Sequence, residues 1–194
     1  WNVSEIGYGM WGLAGWTGSD SSEVMKALEL SVERGCNFYD TAWGYGAGKS
    51  EQILGQLVKR HTGKRLYCAT KIPPKNFKWP SRPEYALKDC FPADHIIEYT
   101  EKSLKNLNTE CIDLQQFHVW EDGWAAQDEW KTAIEKLKRD GKIGFAGIET
   151  LPESDVKTGF EILLEDFYVG AFSPGKIVVD GDVNGPALQA GIDG

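Results

Sequence analysis

The chain repeats one unit: a short apolar, β-prone run, a loop, and an amphipathic helical stretch that ends at glycine. Gly35, Gly63 and Gly141 each stand between a helical stripe and the strand that follows, where a left-handed cap is wanted. The predicted strands are residues 6–11, 37–41, 65–71, 111–118 and 143–148. The first predicted helix follows Asp20 and Glu23, in the D-x-x-E form related to a capping box, and aligns Val24, Ala27, Leu28, Ser31 and Val32 on one stripe. The second opens at Ser50 and turns Ile53, Leu54, Leu57 and Val58 inward. The others are placed at residues 94–107, 127–139 and 153–165.

Strands that alternate with helices run parallel and are joined by right-handed crossovers. A doubly wound open sheet and a (β/α) barrel both meet that condition. No G-x-G-x-x-G links the first strand to its helix, which removes the main support for a dinucleotide-binding doubly wound sheet. The expected fold is therefore α/β, a (β/α)8 barrel of TIM type with about five of its eight strand–helix units recognisable. A chain of 194 residues is ample for one core and short for two domains. Residues 1–166 hold the recognised units. Residues 167–194 read as a glycine-rich tail of unclear structure, with "KIVVDGD" as a short strand and turn.

The net charge of −8 argues against a nucleic-acid groove or an anionic membrane surface, while leaving room for a local basic pocket for one phosphate. No apolar run is long enough to span a bilayer, and the first residues carry no signal-peptide pattern. A cytoplasmic protein without membrane insertion is expected. Cys36, Cys68, Cys90 and Cys111 form no C-x-x-C pair and are read as buried free thiols of a reducing compartment. His61 and His95, at a helix end and a helix start, are read as solvated. With no H-x-x-x-H or clustered Cys/His spacing, no metal is expected.

The strand-to-helix loops are unusual. Trp11, Trp16, Trp43, Trp79, Trp120 and Trp124 all lie at or just after predicted strand C-termini, the active-site end of a (β/α) barrel. Trp16, Trp43, Trp79 and Trp120 are expected to wall a substrate pocket. The longest such loop, residues 72–93, holds Pro73, Pro74, Pro80, Pro83 and Pro92 and reads as a binding loop or lid.

Polar groups gather at the same end. Asp40 closes the second strand in "FYDTAWGYG", with Tyr45 in the loop beyond; Lys71 closes the third and His118 the fourth. Neighbouring strands are about 4.8 Å apart, so these side chains can meet over a small ligand. A phenol with a pKa of about 10 is a poor acid alone. A nearby ammonium favours the phenolate and lowers that value. Asp40 can hold Lys71 charged and placed, and His118 can donate to a substrate oxygen. Such a set could protonate a carbonyl as negative charge develops on its oxygen, but it supplies no electrons. A reduction needs a hydride donor such as a nicotinamide. Taken singly, each residue has a plain structural reading: a rim ion pair, a strand-end histidine, a rim aromatic. Those readings do not explain why all four converge.

In this order, "VSEIGYGMWGLAGW", "FYDTAWGYGAGKSEQILGQLV", "ATKIPP" and "IDLQQFHVW" resemble the aldo-keto reductase superfamily over residues 3–165, most of all its bacterial and plant members and the potassium-channel β-subunit branch. The resemblance implies a TIM barrel that binds NADP(H) without a Rossmann motif and reduces a small-molecule aldehyde or ketone. It makes Tyr45 the proton donor, tuned by Lys71 and Asp40, with His118 orienting the carbonyl. It places Met10, Trp11, Asp40, Glu149 and Thr150 near the cofactor. In the channel-subunit branch the histidine is often replaced; His118 is present here, which favours an enzyme over a binding or regulatory subunit. Glu149-Thr150 departs from the family's Ser-Asn or similar pair, and an acid is a poor neighbour for a carboxamide or phosphate. The chain is read as C-terminally incomplete. In the family, the missing part supplies an aromatic that stacks on the cofactor and a basic loop and helix that grip its phosphates. Whether an oligomer or a partner chain completes the barrel is left open.

Overall fold

The structure, a computed structural model, describes residues 1–14, 21–150 and 167–171. Its strands are β1 (Tyr8–Gly9), β2 (Phe38–Asp40), β3 (Tyr67–Ile72), β4 (Ile112–Phe117), β5 (Ile143–Thr150) and β6 (Phe167–Ala171). The helices are α1 (Ser21–Glu33), α2 (Lys49–Arg60), α3 (Leu87–Cys90), α4 (Ala93–Leu107) and α5 (Asp128–Arg139). All six strands are parallel and pair in chain order, β1 to β6. A doubly wound sheet reverses its strand order part-way. A sheet that never reverses winds one way, as in a barrel, and this one is part of a (β/α)8 barrel.

Two elements differ from the sequence expectation. The stretch 167–171, assigned to the unread tail, is β6, paired with β5 from Ala146↔Phe167 to Thr150↔Ala171. Its Phe, Tyr and Val favour a strand, a signal hidden in the sequence reading by the glycine-rich residues after it. The long loop after β3 also contains α3, too short to show helical periodicity. Asp20, Trp16, the helix expected at 153–165 and "KIVVDGD" lie outside the described residues.

Side chains two apart on a strand share a face. Tyr39, Cys68, Ile72, Phe117 and Ile148 join the large core beneath the helices. Phe38, Ala69 and Leu114 form a second, small apolar cluster on the other face, with Val3 and Tyr67 against it. Trp1 covers this cluster, stacked on Tyr67 at 5.1 Å and edge-on to Phe145 at 4.9 Å. Two residues further along the same face stand Asp40, Lys71 and Gln116, all buried. The inner face thus carries an apolar layer below and a polar layer at the strand C-termini. Phe145, the register partner of Leu114, stays 44% exposed on that face.

The helices pack closely enough to fix one glycine. A Cβ on Gly55 of α2 would stand 2.7 Å from the Leu107 carbonyl oxygen and 2.8 Å from that of Asn106, at the end of α4. Backbone cannot step aside as a side chain can. Gly55→Ala is expected to lower stability by about 1–3 kcal/mol, as overpacking does, read as a fall in urea midpoint at unchanged slope. A neutral result would mean that the two helices slide apart freely.

Of the cysteines, Cys68 and Cys90 are buried free thiols as expected, but Cys36 is half-buried and Cys111 exposed. Cys111 immediately precedes β4, where the edge of the layer no longer covers it.

Candidate active site

Asp40 ends β2, and the chain then makes a tight turn that returns Tyr45 over the sheet. Thr41 N–H donates to Ala69 O and Trp43 N–H to Lys71 O, which carries the β2–β3 pairing past the strand. Gly46, Ala47 and Gly48 all take left-handed backbone, with φ of 67°, 52° and 89°. A side chain on Gly46 would also meet the Ala14 Cβ at 2.9 Å. This is the physical reason for "GYGAG": only such a turn brings the phenol back and starts α2 at once. Ser50 ties the turn down, accepting from Thr41 Oγ1 at 2.8 Å and donating to Met10 O at 3.2 Å.

Lys71 is fully buried, and its ammonium donates to Asp40 Oδ2 (2.6 Å), Thr41 O (2.9 Å) and Tyr45 OH (3.1 Å). Gln116 Nε2 donates to the other Asp40 oxygen at 3.2 Å. Burial pushes Asp40 up, against the pull of Lys71 and the Gln116 amide. Burial alone would lower Lys71, but Asp40, Tyr45 and Glu149 raise it above the usual lysine value. With both Asp40 oxygens held by donors, the pair stands as carboxylate and ammonium. Gln116 was missed in the sequence, yet it was findable: it lies two residues before His118 and is the register partner of Lys71.

His118 follows β4, its N–H donating to Ile72 O at 3.1 Å. Its ring meets Tyr45 and Trp79 edge-on, each at 5.6 Å between centroids. Burial and the nearby Lys71 push it down to about 3, so it is a neutral imidazole. Glu149, from β5, lies with Oε2 3.4 Å from His118 Nε2. That contact lacks hydrogen-bond alignment, and among the described residues neither the buried Glu149 Oε2 nor the buried His118 Nδ1 has a hydrogen-bond partner. Burial raises Glu149 to about 7, despite Lys71.

The four residues Asp40, Tyr45, Lys71 and His118 are therefore brought together. One electrostatic expectation is corrected. The Tyr45 phenol lies above its ordinary value, because burial outweighs the nearby Lys71 ammonium. Among the expected pocket residues that are described, only Trp79 stands beside His118, 44% exposed. Trp43 turns away to Tyr99 of α4, edge-on at 4.7 Å. Trp120 is buried with Phe117, Trp124 and Trp130 under the helices. Past the strand ends the two-residue alternation stops, so nothing in the sequence says which way these rings turn. Of the expected cofactor residues, Met10 is fully buried in the core and offers only backbone, whereas Trp11 is 61% exposed. Thr150 ends β5. His95, expected in solvent, is buried, with Nε2 2.7 Å from Pro73 O. His61 is half-buried and paired with Glu29.

Opposed titrations make stability depend on pH. Glu149 binds its proton more tightly folded than unfolded, rising from 4.5 to about 7. Its contribution is complete at low pH and is lost as pH rises through 7. His118 falls from 6.5 to about 3, so its contribution is complete above 6.5 and is lost as pH drops toward 3. Between 4.5 and 6.5 the two slopes cancel. Glu149→Gln removes one of them. Relative to wild type, the variant is expected to gain about 3 kcal/mol between pH 4.5 and 8, measured by urea unfolding across that range. A constant difference between the two proteins would show that Glu149 titrates normally.

A buried Lys–Asp–Tyr cluster thus stands beside a neutral histidine at the C-terminal rim of a parallel (β/α) sheet. Residues 5–157 match the sequence model of the Aldo/keto reductase family, and the chain belongs to that family. Among curated relatives it is 31% identical over 160 residues to "Aldo-keto reductase YhdN" of Bacillus subtilis, covering 80% of this chain and 46% of the relative. The chain thus spans about half the length of the curated relatives it matches. Among solved structures it superposes on the holo form of aldo-keto reductase AKR11C1 from Bacillus halodurans, with TM-score 0.66 and 26% identity over 88% of this chain and 54% of that one. It also matches an aldo/keto reductase from Klebsiella pneumoniae in complex with NADP and acetate, with TM-score 0.59 and 25% identity over 80% and 49% of the two chains. Among the described residues, no helix is long and apolar enough to cross a membrane.

Proposed function

We propose that this chain carries the proton-delivering centre of an NADPH-dependent reductase that converts an aldehyde or ketone to an alcohol. The observation that carries this reading is the threefold donation by Lys71. With its ammonium fixed on Asp40 and Thr41 O, the remaining bond enters the phenol oxygen of Tyr45. The phenol's own O–H is left to point at a substrate oxygen. As negative charge develops on the carbonyl, Tyr45 gives up its proton and the phenolate forms against Lys71. His118, held neutral, donates one N–H to the same oxygen. Trp79 walls the substrate side.

The residues present fit the nicotinamide end of NADP(H). Glu149 Oε2 and His118 Nδ1 are buried polar atoms without hydrogen-bond partners among the described residues, and such atoms call for a ligand or water. Trp11, Asp40 and the β5 terminus at Thr150 would hold it, with Glu149, whose carboxyl is raised to about 7 and so is partly protonated at neutral pH, able to pair with a carboxamide as an ordinary carboxylate would not. When bound, it supplies the hydride that no side chain here can supply. The relative solved with NADP, and the name of the fission-yeast relative, "Aldo-keto reductase yakc", which specifies NADP(+), support this cofactor. We assign strands β1 to β6 to the N-terminal part of the barrel, and its closure beyond β6 to further strands of this or a partner chain.

The test is a titration of the purified chain with NADPH, and with NADH alongside, followed by tryptophan quenching and then by NADPH oxidation with a panel of aldehydes and ketones. Saturable binding that favours NADPH, with carbonyl-dependent oxidation, is expected. A folded chain that binds neither nucleotide would remove the reductase reading.

A further inference from the structure

Glu149 is not explained by the relay. It stands at the end of β5 with its side chain 23% exposed, and its Oε2 is buried 3.4 Å from His118 Nε2. The charged and titratable groups around it are Lys71 from β3, Asp40 from β2, Tyr45 from the turn and His118 after β4. On the β6 side its register partner is Gly170, which brings no charge.

We propose that Glu149 is a positioning residue for His118: its carboxyl decides which imidazole nitrogen carries the proton. A neutral imidazole has one N–H donor and one bare acceptor nitrogen, and its neighbours select the tautomer. An ionised carboxylate can only accept, so it draws the proton to Nε2. A protonated carboxyl can donate to a bare Nε2, which leaves the imidazole proton on Nδ1. The second state holds one more proton than the first: Glu149 takes it from solvent, and the imidazole keeps its single proton at the other nitrogen. His118 does not become imidazolium in either state, because burial and Lys71 hold it neutral well below the range in which Glu149 titrates.

The consequence rests on the reductase reading. With Glu149 protonated, Nε2 is bare and the imidazole proton sits on the buried Nδ1, so His118 has no Nε2–H to give the carbonyl. Carbonyl reduction is then expected to weaken as pH falls below 7, and to lose that dependence in Glu149→Ser.

The decisive experiment uses neither substrate nor cofactor. The imidazole ¹⁵N shifts of the whole chain are followed by NMR from pH 5.5 to 8.5, with His118 assigned through His118→Asn, and compared in Glu149→Gln and Glu149→Ser. The expected result is an inversion of His118 from mainly Nδ1–H at pH 5.5 to mainly Nε2–H at pH 8.5, absent in both variants. A tautomer that stays constant in wild type, or inverts equally in a variant, would overturn the proposal. Because this readout needs no turnover, failure of the reductase reading leaves it intact. If Glu149→Gln does not fold, Glu149→Ser alone decides.

Discussion

Tyr45→Phe is expected to lower carbonyl reduction by about 10²–10⁴-fold, the usual worth of a positioned acid, with little change in NADPH affinity or in fold. The phenol ring is wedged between Lys71 and His118 and packs through its edge and faces, contacts that phenylalanine keeps. What it loses is the one O–H that can reach a substrate oxygen while the phenol oxygen is held by Lys71. Burial raises the Tyr45 value, so at neutral pH the residue is a loaded acid. The measurement is kcat and KM for one carbonyl substrate at fixed NADPH, with nucleotide affinity measured separately by fluorescence quenching. A variant that keeps more than about a tenth of the activity would place the proton donor elsewhere, since a general acid is worth far more than that.

Lys71→Met is expected to cost about 3–5 kcal/mol of stability, because it leaves a carboxylate buried without its partner. Asp40 is only 4% exposed, and the remaining named donor to it is the Gln116 amide at 3.2 Å. Methionine fills most of the lysine volume, so the loss is electrostatic rather than a cavity. The double variant Lys71→Met/Asp40→Asn removes the stranded charge and is expected to recover a large part of the loss. Urea unfolding of the two single variants and the double variant gives the coupling directly. Equal losses in Lys71→Met and the double variant would mean that the ammonium matters through its bond to Thr41 O, and not through Asp40.

Asp40 and Lys71 were legible in the sequence because regular strands obey a period of two and both lie at strand C-termini on one face; Gln116 shares that face but was missed. Once the strands are placed, their convergence follows from geometry alone. The glycines that follow helices were partly legible: Gly35 and Gly141 take left-handed backbone, with φ of 93° and 71°, as expected of a cap, whereas Gly63 does not. Fold class came from the same source: strand and helix alternate, and no glycine-rich fingerprint breaks the pattern.

Other features depended on packing between segments far apart in the chain. Trp43 and Trp120 were expected around the substrate and instead face Tyr99 and Trp130, because loop residues have no periodicity to aim them. The strand β6 is set by its pairing with β5; its β-prone Phe, Tyr and Val were passed over because glycine-rich residues follow them. Tyr45 is raised and not lowered because burial, a property of the assembled rim, exceeds the pull of one ammonium. The contact between Glu149 and His118 joins residues 31 positions apart at a height set by the β4–β5 register. Residue types and spacing fixed which chemistry this chain can hold and at which end of the sheet. Tertiary structure decided how that chemistry is tuned, because desolvation and the facing of loop side chains arise only when the strands lie side by side.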